Sequence, residues 1–150
     1  GSLLSCRSGV QIPLRPLNMY KILEHTADIG IEVESLNLEK AFEEAALAMI
    51  SLSIDINKVD KTIKKNFNLS AENYDSLLVK FLSEILYLFD AEQFVPRYVK
   101  VKINGLTLNA ELEGEKYNRE KHGSYLVIKA VTYHMLMVDQ AGRLRVLFDI

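Results

Sequence analysis

Residues 73–91, NYDSLLVKFLSEILYLFDA, read as one amphipathic helix with a wide apolar face. At about 100° per residue, Tyr74, Leu77, Leu78, Phe81, Leu82, Ile85, Leu86, Leu88 and Phe89 cover an arc of roughly 200°. A helix resting on a single sheet needs a narrower stripe. This one predicts protein on more than one side.

The flanking segments set the order of elements. Upstream, residues 36–54, LNLEKAFEEAALAMISLSI, repeat Leu38, Phe42, Ala45, Met49 and Leu52 at three- and four-residue steps, a second helix with Asn37 as its N-cap. Residues 61–71, KTIKKNFNLSA, alternate through Ile63, Phe67 and Leu69 as a strand. Residues 20–35, YKILEHTADIGIEVES, alternate at both ends and predict two strands around HTAD. Downstream, Val99, Val101 and Ile103 alternate, Asn104-Gly105 signals a tight hairpin, and Leu106, Leu108, Ala110 and Leu112 return. YLVIKAVTYHMLMV, 125–138, is apolar on both faces in places and predicts a central strand. QAG then turns the chain into RLRVLFDI, with Leu144, Val146 and Phe148 on one face. The order β-β-α-β-α-β-β-β-β, with hairpins dominating, predicts an α+β fold with mostly antiparallel sheets.

Composition sets bounds on function. Apolar residues are 49% and charged residues 25% of 150, ordinary for a globular domain. Residues 1–18 hold two of the three prolines and the only cysteine, without sustained periodicity. Gly1-Ser2 reads as the remnant of a cleaved expression tag and Met19 as a true start. Residues 1–18 are therefore expected to be an expression-derived or disordered tail, and 19–150 a single domain. Without the tail, Lys and Arg fall from 18 to 16 against 20 Asp and Glu, a net charge of −4. That is no basic field for nucleic acid. Residues 19–150 contain no cysteine, which excludes disulfides and thiolate metal sites there. Lys80, Ser83 and Glu84 interrupt the longest apolar run, so no membrane span is expected, and the cytoplasm is the default location.

Candidate chemistry gathers at two places. HTAD offers His25, Thr26 and Asp28, while the end of the chain offers the Asp149 side chain and the α-carboxylate of Ile150. Two anionic groups one residue apart repel unless they are solvated or share a cation. If the first and last strands lie side by side, Asp28 adds a third oxygen donor. An all-oxygen set suits Ca²⁺, Mg²⁺ or Mn²⁺ rather than zinc. Spacing alone does not bring residues 28 and 149 together, and Asp28 capping a turn before Gly30 accounts for it equally. His25, His122 and His134 lack metal-ligand spacing. DINKVD, 55–60, lacks the glycine of a calcium loop, and Val59 stands at a ligand position. Lys58, Lys61, Lys64 and Lys65 suit an edge strand guarded by lysines, or phosphate. No glycine-rich phosphate loop and no serine nucleophile motif are present.

Four segments together resemble the archease family: EHTADIGIEV at 24–33, GEKYNREKH at 114–122, IKAVTYH at 128–134 and RVLFDI at 145–150. The resemblance spans residues 19–150. It implies a β/α/β sandwich, helices layered between sheets. It also implies a non-enzymatic accessory protein of an RtcB-type RNA ligase, promoting guanylylation and multiple turnover in tRNA splicing. With it come a metal site of Asp28, Asp149 and the Ile150 carboxylate, Ca²⁺ foremost with Mg²⁺ or Mn²⁺ as alternatives, and supporting roles for His25 and Thr26. tRNA would be met only through the ligase. Asn118 and Lys121 depart from the family pattern, which often has an acidic residue and an arginine there. Three other classes compete: an RNA-binding module using the lysines with Arg97, Lys100 and Lys102, a general chaperone, and a metal-dependent hydrolase with His25 as the water-activating group.

Overall fold

The computed structural model describes residues 3–5, 11–13, 19–24 and 28–150. Strands β1 (Leu3–Ser5) and β2 (Gln11–Pro13) pair with each other in a two-stranded antiparallel ribbon and join neither larger sheet. The rest follows the order read from the sequence. Strands β3 (Met19–Glu24) and β4 (Asp28–Glu34) precede helix α1 (Leu38–Ser53) and a 3₁₀ turn (Ile56–Lys58). Next come β5 (Ile63–Ser70), α2 (Tyr74–Glu92), β6 (Phe94–Asn104) and β7 (Thr107–Lys116). A single turn of helix, α3 (Arg119–His122), leads to β8 (Ala130–Asp139) and β9 (Arg143–Asp149). Two antiparallel sheets result, ordered β3-β4-β9-β8 and β5-β7-β6.

Both helices lie between these sheets. Helix α2 packs on β8 from one sheet and on β5 and β6 from the other, while α1 bridges β6 to β3, β4 and β9. This is why α2 needs its broad apolar arc: Leu77, Leu78, Phe81, Leu82 and Ile85 are all fully buried. The Phe81 ring stands 5.7 Å from Phe42 of α1 and 6.1 Å from Phe67 of β5, joining three elements in one cluster. Each such side chain contributes roughly 1.5–3 kcal/mol by leaving water. Both helix starts are capped as asparagine caps should be, the Asn37 and Asn73 side chains accepting from Lys40 N and Ser76 N.

Sheet edges are managed individually. Strand β5 is an edge of the three-stranded sheet and carries Lys64 and Lys65, the lysine-guarded edge expected from the sequence. On the opposite edge, Glu39 and Glu43 of α1 accept from the outward N–H groups of Ile103 (2.7 Å) and Val101 (2.8 Å). The spacing matches, because four helical residues rise about 6 Å and two strand residues about 6.8 Å. A partner strand finds those donors already taken.

One expectation is overturned. Strand β8 is not central but the edge of the four-stranded sheet. Its two-sided apolarity has separate causes. Val131, Leu136 and Val138 pack on the core, whereas Tyr133 and Met135 are exposed at an irregularity where the register jumps from Thr132 to Met137. Met135 adopts a positive φ of 55°, and its carbonyl accepts from Arg145 Nε at 2.9 Å.

Candidate metal centre

The pairing of β4 with β9 decides the site. Ile29 faces Phe148, Ile31 faces Val146 and Val33 faces Leu144, all buried against the helices. A slip of one residue would turn all six side chains to the other face, so burial locks the register. The next pair in the same ladder is Asp28 opposite Asp149. By alternation both project away from the helical layer, with Cβ atoms about 4.5–5.5 Å apart. Asp28 is half-buried and Asp149 exposed. Among the described residues, neither carboxylate is paired with a lysine, arginine or histidine. Like charges directly opposite destabilise a strand pair unless they are solvated or share a cation.

The surroundings steady this end of the sheet. On its other side Asp149 faces Ala130, and Lys129 N donates to its carbonyl at 2.8 Å. Ile150 follows Asp149 without a strand partner and is 37% exposed. Among the described residues no group of three or more His, Cys, Asp or Glu side chains converges as a metal site. Ile150, whose α-carboxylate the sequence reading offers as a further oxygen donor, stands one residue beyond the aspartate pair. The donor set is all oxygen, which fits Ca²⁺, Mg²⁺ or Mn²⁺. His25 and Thr26 lie outside the described residues. His134 is exposed in the β8 irregularity, and His122 is buried elsewhere.

His122 belongs to a cluster that single-residue reading missed. The segment GEKYNREKH folds back on itself. Asn118 caps α3 by accepting from Glu120 N and Lys121 N, a role aspartate fills as well, so an acidic residue and an asparagine are interchangeable there. The ring of His122 accepts from Asn118 N at Nδ1 (2.9 Å), which places the ring proton on Nε2, donating to Glu115 at 2.8 Å. Glu115 also accepts from Asp60 N (2.8 Å) and pairs with Lys121, which reaches Asp60 at 2.6 Å. The carboxylate of Glu115 is thus spent clamping the 117–123 turn to the segment before β5. The retrievable clue was spacing: a glutamate and a histidine seven residues apart across a turn with an Asn cap.

This clamp carries a pH signature. Desolvation opposes the charged form of Glu115, but Lys121, the Asp60 N–H and His122 outweigh it and lower its pKa from 4.5 to about 2. The folded value lies below the unfolded one, so the stabilisation is whole above about pH 4.5 and is lost as pH falls toward 2. The Glu115→Gln chain is expected to unfold at lower temperature at pH 7 and to lose less than the parent between about pH 4.5 and pH 2.5. Parallel melting curves for the two chains would contradict the clamp.

Several of the lysines stand beside acidic or aromatic neighbours. Lys65 pairs with Glu92 at 2.7 Å, and on the outer face Lys64 stands beside Glu113 and Lys100 beside Glu111, both from the central strand β7. Lys61 lies over the Tyr98 ring at 5.8 Å. Among the described residues no helix is long and apolar enough to cross a membrane.

Comparison with known proteins converges on one group. The model of the Archease protein family (MTH1598/TM1083) matches residues 20–150. The chain is 37% identical over 128 residues to a protein archease of Pyrobaculum neutrophilum, covering 82% of this chain and 87% of that protein. It is 40% identical over 121 residues to one from Pyrococcus abyssi, covering 78% and 85%. The solution structure of Methanobacterium thermoautotrophicum protein 1598 is similar with a TM-score of 0.70 at 30% identity, covering 87% of this chain and 98% of that one.

Proposed function

This chain belongs to the archease family, and we propose that it is a non-enzymatic, cytoplasmic accessory protein of an RtcB-type RNA ligase in tRNA splicing. In this reading it promotes guanylylation of the ligase and lets it turn over repeatedly. Asp28, Asp149 and the α-carboxylate of Ile150 would hold a divalent cation, Ca²⁺ foremost. The observation that supports this is the ladder position of Asp28 opposite Asp149, two carboxylates without an ion-pair partner among the described residues, in a register set by six buried side chains.

When bound, a divalent ion supplies positive charge of the kind nucleotidyl transfer depends on. The chain's own residues do the positioning. The β4–β9 ladder presents both carboxylates on one face, and Lys129 N, just before β8, holds the backbone of Asp149. The outcome would be an acidic tip that can dock beside a nucleotide-binding partner. His25 and Thr26 would support that tip.

Thermal unfolding after chelation, with Ca²⁺, Mg²⁺ or Mn²⁺ restored, tests the metal half of the proposal. At about 100 times its Kd a specific ion stabilises by about 2.7 kcal/mol, and Tm should rise by roughly 5–10 °C. A ligase assay with the same samples tests the other half. Product is expected to exceed one per ligase molecule only with both chain and cation present. A Tm indifferent to all three ions, with turnover indifferent to the chain, would end this reading.

A further inference from the structure

A second site lies at the other end of the molecule. A cleft of about 400 Å³ opens between the sheets beside the C-terminal end of α1. Its polar wall comes from Ser51, Asp55, Asn57 and Arg97, and Tyr20 and Tyr125 line it too. Tyr20 sits opposite Val33, five residues or about 17 Å along β4 from Asp28.

Arg97 is the reason to regard it as built for a ligand. The β6–β7 register shifts between Pro96 and Tyr98, leaving Arg97 as the unpaired bulge residue. Bulges re-aim a side chain, and Arg97, on the same side of β6 as Val99 and Val101, lines the cleft with Tyr20 of the opposite sheet. Arg97 is half-buried, and no carboxylate, carbonyl or hydroxyl of the described residues pairs with it. Asp55 lines the same cleft without forming an ion pair to it, one carboxylate oxygen already accepting from Asn57 N. A ligand that satisfies both brings an anion for Arg97 and a hydrogen-bond donor for Asp55. A simple anion satisfies the first and is repelled by the second. Tyr125, 60% exposed, offers an open ring on which a flat group can stack.

We propose that this cleft binds one base–ribose–phosphate unit, with Arg97 on the phosphate, Tyr125 stacked on the base and Asp55 accepting from the base's N–H edge. Arginine suits phosphate oxygens, and bases on single strands are held by aromatic stacking plus edge hydrogen bonds. The volume lies within the range of small-ligand pockets. The unit can come from a free nucleotide or from an unpaired RNA end, and both present the same chemistry.

Titration of the ¹⁵N-labelled chain, followed by amide shifts, tests this without the ligase. GMP should move the amides of Ser51, Asn57, Arg97 and Tyr125 in a saturable way, and inorganic phosphate should bind more weakly. Arg97→Gln should weaken GMP by roughly tenfold or more. Tyr125→Ala, a change at an exposed ring, should weaken it while leaving the spectrum dispersed. A guanosine-containing single-stranded pentaribonucleotide run beside GMP identifies the source: tighter binding of the RNA assigns an RNA end, tighter binding of GMP a free nucleotide. Shifts that map elsewhere, survive both substitutions, or are matched by phosphate alone would overturn the proposal. Because Asp28 and Asp149 take no part, the outcome is independent of the metal site.

Discussion

Asp28→Ala is expected to abolish repeated turnover of the ligase while leaving the fold intact. Asp28 is half-buried at the end of a ladder, outside the core that holds β4 to β9. Its loss removes one of three anionic donors, and the cost in ion affinity should be at least on the order of the 10–100-fold that even an outer partner of a metal ligand commands. The signs separate a metal site from an ordinary surface carboxylate. In chelator, the variant should be as stable as the parent or up to about 1 kcal/mol more stable, since a like-charge cross-strand pair is gone. With Ca²⁺ restored the parent should gain stability and the variant should not. Turnover that persists undiminished with Asp28→Ala would dispose both of an ion delivered to the ligase and of an ion that stiffens a docking tip.

The second large effect is expected at Gly114. This glycine lies in the central strand β7, opposite Ile63 on one side and Pro96 on the other. A Cβ built there would meet the Val95 carbonyl oxygen at 1.9 Å, and Val95 C and Pro96 Cα at 2.8 Å. These are backbone atoms of the neighbouring strand, which cannot swing aside as a flexible side chain does. Gly114→Ala should therefore cost more than about 3 kcal/mol, as severe overpacking does. Tm should fall by roughly 6–12 °C. The damage should spread to Glu115, the next residue, and loosen the clamp on His122. A circular-dichroism melt within about 2 °C of the parent would mean that β6 and β7 do not approach this closely.

These two residues show how legible the chain is. Asp28 stood out in the sequence as a polar residue between pairing segments, yet its partner lies at the far end of the chain. Gly114 is the first residue of GEKYNREKH, a segment that could be quoted but not explained. The glycine is needed for backbone approach, Glu115 and His122 for a mutual hydrogen bond, and Asn118 for a helix cap. None of these partners is readable from local periodicity, because each role is defined by what arrives from elsewhere. Strand β8 misled for a related reason. Apolar side chains at 125–138 predicted burial on both faces, but Tyr125, Val127, Tyr133 and Met135 are exposed.

What the sequence alone determined is the local and one-dimensional part: the order of the two long helices and of strands β3 to β9, the Asn37 helix cap, the Asn104-Gly105 hairpin, the lysine-guarded edge and the apolar side of every strand but β8. These follow from turn chemistry and from periods of 3.6 and 2, which act over a few residues. Tertiary structure decided which strands became neighbours and therefore which carboxylates face each other. Alternation says that Asp28 and Asp149 lie off the apolar face of their strands, but only burial of Ile29, Ile31 and Val33 against Phe148, Val146 and Leu144 selects the register that puts them side by side.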